Sequence, residues 1–74
     1  MLNDLQVKLD RYEAKAAHCQ RAVQEATNEP GRAFYAELAD YYGSLARDFR
    51  QVIANREAEE REQRQLAQAL ADLV

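Results

Sequence analysis

The sequence has no tryptophan, one proline, two glycines, one cysteine and one histidine among its 74 residues. Each shortage excludes something. A single cysteine cannot close an internal disulfide, which fits a reducing compartment. The histidine and the cysteine are neighbours, His18 and Cys19. On a helix their side chains point in different directions, so they cannot grip one metal, and a zinc site needs three or four convergent ligands. Nor is there a cleft in which a nucleophile, a base and an orienting group would meet. No catalytic, cofactor-binding or metal-ligating residue is assigned, and no enzyme activity is expected.

β-Branched residues are equally scarce: Val7, Val23, Thr27, Val52, Ile53 and Val74 are all there are. None forms a run of period two, which argues against a sheet. No apolar run approaches the roughly 18 to 20 residues that cross a bilayer. The opening Met1–Asp4 has no basic stretch leading into an apolar one, so no signal peptide is read and the expected location is the cytoplasm. Positive charge is in the minority, with 10 basic residues against 13 acidic and a net charge of −3. A sequence-blind nucleic-acid binder gains affinity by neutralising phosphates, so this balance argues against one.

What is present is 47% apolar and 31% charged residues, rich in Ala, Leu, Glu, Gln and Arg. Those are strong helix formers, and the chain is too hydrophobic to stay disordered. The one strong breaker is the stretch Thr27–Arg32, TNEPGR. Asn28 or Glu29 can cap an incoming helix, Pro30 needs no donor in a first turn, and Gly31 gives the reversal its freedom. The expected fold is all-α: one domain over residues 1–74, an antiparallel two-helix coiled-coil hairpin with a C-terminally extended second helix. Helix 1 is expected over about 3–27, the turn over 28–31 and helix 2 over about 32–72, with 55–74 as an overhang.

Leu2, Leu5, Leu9, Tyr12, Ala16, Cys19, Val23 and Ala26 are spaced alternately three and four apart, an uninterrupted heptad seam. Asn3 stands in N-cap position with Gln6 three residues on, and Leu2 with Val7 forms a possible staple. On helix 2 the matching seam is read as Phe34, Leu38, Tyr41, Leu45 and Val52, with Asp48 and Phe49 sharing a layer. Folding back at the turn then pairs Ala26 with Phe34, Val23 with Leu38, Cys19 with Tyr41, Ala16 with Leu45, Tyr12 with Phe49 and Leu9 with Val52. Small faces large, as dense packing requires. Gly43 beside Ser44 is expected to bend the helix without breaking it.

That seam leaves Tyr35, Tyr42, Phe49 and Ile53 on a neighbouring face, an apolar stripe too large to face water alone. A second copy is the simplest cover, giving a homodimeric four-helix bundle, and a different protein is the next. Beyond it, ANREAEEREQRQ (54–65) has no large apolar side chain, and Glu57 with Arg61 and Glu60 with Arg64 are spaced as helix ion pairs. Asn55 offers a less favoured restart for a third helix. Leu66, Leu70 and Leu73 then restore an apolar end suited to a second contact.

The expected function is a non-enzymatic protein-interaction module that binds a partner protein as inhibitor, adaptor or chaperone. The competing class is an RNA-binding hairpin regulator using Lys8, Arg11, Lys15 and His18, a row interleaved with Asp4, Asp10 and Glu13 and lacking aromatic residues for base stacking. A structural subunit of a larger assembly is the third.

Overall fold

The computed structural model describes residues 2–74. Two helices account for nearly all of them: α1 runs Leu2–Glu25 and α2 runs Glu29–Leu73. They lie side by side, antiparallel, as an all-helical hairpin. The molecule measures 70 × 15 × 13 Å, and its radius of gyration is 19.3 Å. A compact domain of this length would have a radius near 11 Å. The elongation follows from unequal arms. At about 1.5 Å per residue, the 45 residues of α2 span roughly 67 Å and the 24 of α1 only about 36 Å.

The turn is tighter than the sequence suggests. α2 starts at Glu29 rather than near residue 32, because Asn28 caps it in an extended conformation (φ −141°, ψ 161°). The Asn28 Oδ1 accepts from the Gly31 amide at 2.8 Å, and the Asn28 carbonyl accepts from the Arg32 amide at 3.1 Å. Those contacts satisfy donors that every helix start leaves open. Pro30 sits in the first turn, where its missing donor costs nothing. Arg32 also reaches back to Glu29 at 2.7 Å.

At the other end of α1 the expected cap does not form. The helix already includes Leu2, so Asn3 lies inside it, and the Gln6 amide donates to Asp10 one turn on, at 3.0 Å. Val7 is exposed, and the Leu2 side chain of the expected staple lies outside the described ones.

The α1 seam is as read from the sequence: Leu9, Ala16 and Cys19 are buried, and Leu5, Tyr12, Val23 and Ala26 are half-buried. The expected Tyr12–Phe49 layer forms, with ring centroids 5.4 Å apart. Glu13 and Arg50, one residue further along each helix, form an ion pair at 2.7 Å. By that register Ala16 lies level with Ala46, which is the most buried residue of all at 2% exposure. Small side chains meet from both helices there, so the two backbones approach closely.

The α2 face is where expectation and structure part. Tyr35, Leu38, Ala39, Tyr42, Leu45, Phe49 and Ile53 are half-buried around the buried Ala46, while Phe34, Tyr41 and Val52 are exposed. The supposed outer stripe is the inner one. Two heptad series share Leu38 and Leu45 and differ by one residue, 34/41/48 against 35/42/49. The first would seat the Asp48 carboxylate in the seam, where an unpaired charge is costly. The second seats three aromatic rings, so the helix turns by one position, and the Cys19–Tyr41, Ala26–Phe34 and Leu9–Val52 layers are lost.

Candidate protein interface

Rotating α2 sorts the aromatic run into two rows. Tyr42 is stacked with Tyr12, at 6.2 Å between centroids and 21° between planes. Phe34 rests edge-on against Tyr35 at 5.4 Å, and Tyr41 against Tyr42 at 5.3 Å. The inner ring of each couple is held between the helices. The outer ring is left in water, Phe34 57% exposed and Tyr41 59% exposed. With Val52, and with Leu38 and Leu45 at their margin, these rings form an apolar row along one flank of α2.

Of the residues expected at an interface, Tyr35, Tyr42, Phe49 and Ile53 are therefore in the hairpin seam, half-buried against α1. Leu66, Leu70 and Leu73 are exposed on the overhang, the last at 82%. Phe34, Tyr41 and Val52 are the exposed residues that the sequence reading assigned to the core. Asp48 was the signal that could have found them, since that seam seats a carboxylate between Leu45 and Val52.

An open groove of about 450 Å³ runs beside the apolar row. Ala14, Cys19, Tyr35, Leu38 and Tyr42 give it apolar walls, and Arg11, Lys15 and His18 stand along it. Lys15 places its Nζ 5.3 Å from the Tyr42 ring centroid, a cation–π distance. An antiparallel pair sets like flanks side by side. The basic row of α1 and the apolar row of α2 consequently share one face of the hairpin. The opposite face lacks large exposed apolar side chains among the described residues; it carries the Glu13–Arg50 pair and a shallow depression formed by Gln20, Val23, Gln24, Ala36, Ala39 and Asp40. The sequence alone gave the basic row no aromatic neighbour. The structure places Tyr35 and Tyr42 beside it, with Tyr42 stacked on Tyr12 and close to the Lys15 ammonium.

From Glu59 to Val74 every residue is exposed. The overhang is nevertheless one uninterrupted helix, with no restart at Asn55. The Gln51 amide donates to Asn55 at 3.0 Å, and the Gln68 amide to Asp72 at 3.1 Å, both one turn apart. The ion pairs formed among the described residues are Glu29–Arg32 and Glu13–Arg50, so Glu57–Arg61 and Glu60–Arg64 stay open. Cys19 is a free thiol, 4% exposed, that packs as a small apolar side chain. Among the described residues, no three of His, Cys, Asp and Glu cluster closely enough to hold a metal ion, and no helix is long and apolar enough to cross a membrane.

These features define a class by shape alone: a capped helical hairpin with one apolar flank and a bare arm. No protein-family model, curated protein or solved structure matches the chain.

Proposed function

We propose that this chain is a non-enzymatic protein–protein interaction module, a small helical hairpin that forms a homodimeric four-helix bundle and works by occupying a surface of a partner protein. The observation that supports this is the amount of surface the single chain leaves exposed. It has 5974 Å² accessible to water, whereas a compact monomer of 8.5 kDa would have about 4,650 Å². The excess, about 1,300 Å², exceeds the roughly 800 Å² that each partner contributes to a standard interface. The uncovered part includes Phe34, Tyr41, Val52, Leu66, Leu70 and Leu73. Among the described residues only Leu9, Ala16, Cys19 and Ala46 are buried, and no large side chain is fully so. A core that thin gives little stability by itself, so association and folding support one another.

Phe34 and Tyr41 are the anchors of this reading, rigid rings of the kind that dominate interfaces. Light scattering of the purified chain should give twice the chain mass, and Phe34→Ser with Tyr41→Ser should shift it to one while far-UV circular dichroism remains helical. A native chain that stays monomeric at hundreds of micromolar with a cooperative melt overturns the reading.

A further inference from the structure

The groove beside Lys15 and the bare arm of α2 have matching length, chemistry and order. Along α2, Leu38, Leu45 and Val52 recur every seven residues on the outer flank, and Glu59, Leu66 and Leu73 continue that phase. Phe34 and Tyr41 sit four residues before Leu38 and Leu45; the equivalent places on the arm are Glu62 and Ala69. The outer flank of the arm therefore reads acidic first, at Glu59 and Glu62, and apolar after, at Leu66 and Leu73 with Leu70 on the border. The groove's side of the hairpin reads apolar from Phe34 to Leu38 near the turn, then becomes basic at His18, Lys15 and Arg11 farther from it. The two patterns are complementary only if they run in opposite directions.

We propose that residues 59–73 of a second copy lie in this groove, antiparallel to α2, with a two-fold axis beside Val52. This specifies the self-association put forward above and rests on it. About that axis Leu66 of one copy falls beside Leu38 of the other, Leu70 beside Phe34, and Glu59 beside Leu45. The hairpin's own register puts Lys15 and His18 alongside, within reach of Glu59 and Glu62. The fifteen residues of the arm span about 22 Å, as do residues 31–45 that they cover. Because the contact is two-fold, both arms are covered at once and no bare end is left to propagate a filament. The Coulomb contribution is that of rim pairs, which orient the arm more than they hold it. The leucines and the outer rings carry the affinity.

Lys8 and Lys15 are the only lysines in the chain. Within one copy Lys15 is level with Arg47, so Glu62 lies about 22 Å along the axis, beyond the reach of a zero-length link. Mixing ¹⁴N- and ¹⁵N-labelled full-length chain, coupling carboxylates to amines with a carbodiimide and sequencing the products by mass spectrometry reads the geometry directly. Mixed-isotope peptides joining Lys15 of one copy to Glu59 or Glu62 of the other are expected, with none from Lys8. In parallel, Arg11→Glu with Lys15→Glu should weaken the dimer about tenfold, and adding Glu59→Lys with Glu62→Lys should restore it. A dimer that gives no such mixed-isotope links, or that the charge swap fails to restore, overturns the arm-in-groove arrangement while leaving self-association standing. A monomer overturns both.

Discussion

α2 is one helix in two environments. Its first thirty residues lie against α1, while the last fifteen are all exposed. Ala46 and Ala67 make the contrast sharp, since they are three heptads apart and share a phase, yet one is 2% exposed and the other is fully on the surface. Helical sequence explains both stretches, and tertiary packing explains only the first. Local propensity plus a few side-chain bonds keeps an isolated helix marginal in water. The arm therefore depends on whatever covers it, whereas the paired stretch depends on α1.

The strongest way to break that comparison is a carboxylate at the two equivalent alanines. Ala46→Asp would place an unpaired charge at the most buried of the described positions, a cost of several kcal/mol in a hairpin with so thin a core. Far-UV circular dichroism at 25 °C should show an unfolded chain. Ala67→Asp should leave the hairpin's urea midpoint unchanged. Equal loss in both variants would mean that the arm is packed as tightly as the hairpin.

Next in size is the comparison of inner with outer rings. Tyr42→Ala removes a ring stacked on Tyr12 and covered by Lys15, and should cost about 2 kcal/mol in urea unfolding. Tyr41→Ala removes the exposed neighbour and should cost under about 0.5 kcal/mol when measured below the dissociation constant of the dimer. Above that concentration the order reverses for association, with Tyr41→Ala the more damaging. Phe34→Ala should follow Tyr41→Ala in both measurements.

That pair of rings also shows where sequence reasoning stops. The α1 seam was legible because its positions are uninterrupted and the residues beside them are mostly polar. Its ends were not: the helix already includes Leu2, so Asn3 does not cap it, and it stops at Glu25 rather than near 27. The turn was legible from Asn28, which caps α2, and Pro30, which sits in its first turn; Gly31 lies inside the helix without a positive φ, so its freedom is not what makes the reversal. α2 has apolar residues over more than half its circumference between Phe34 and Ile53, so periodicity permits two seams sharing Leu38 and Leu45. Their separation is one residue, about 100° of rotation, and it decides which rings face water. Size complementarity favoured the wrong seam, because Ala16 and Cys19 left room for large partners. In the fold that room is used instead to bring Ala46 close. The electrostatic cost at Asp48 separates the two seams, and it weighs more than the match of volumes. At the arm, the sequence disclosed the helix and its exposed leucines, but no single-chain pattern reveals a covering partner.

A smaller effect is expected at the cap. Asn28→Ala removes the acceptor for the Gly31 amide and should cost about 1 kcal/mol. Gly31→Ala would be felt at the same place. A methyl group there would lie 3.0 Å from the Asn28 Oδ1, so either the cap shifts or the hydrogen bond lengthens. Both changes should lower the urea midpoint without altering its slope, since the same surface is exposed on unfolding.

The other glycine answers in the opposite direction and sets the lower end of the scale. Gly43 lies in the middle of the covered stretch, yet a methyl group built on it meets nothing within 4 Å, and its φ is not positive. It provides neither a close approach nor a left-handed turn, and the helix runs through it without interruption. All that remains is its conformational freedom in the unfolded chain, which an alanine would reduce. Gly43→Ala should therefore raise stability by about 0.5 to 1 kcal/mol, read as a higher urea midpoint at unchanged slope. If the substitution destabilises the hairpin, or leaves the monomer unaffected but weakens the dimer, then the second copy approaches α2 at Gly43 and covers the face opposite the groove. The apolar flank of Phe34 and Tyr41 would then need a different occupant.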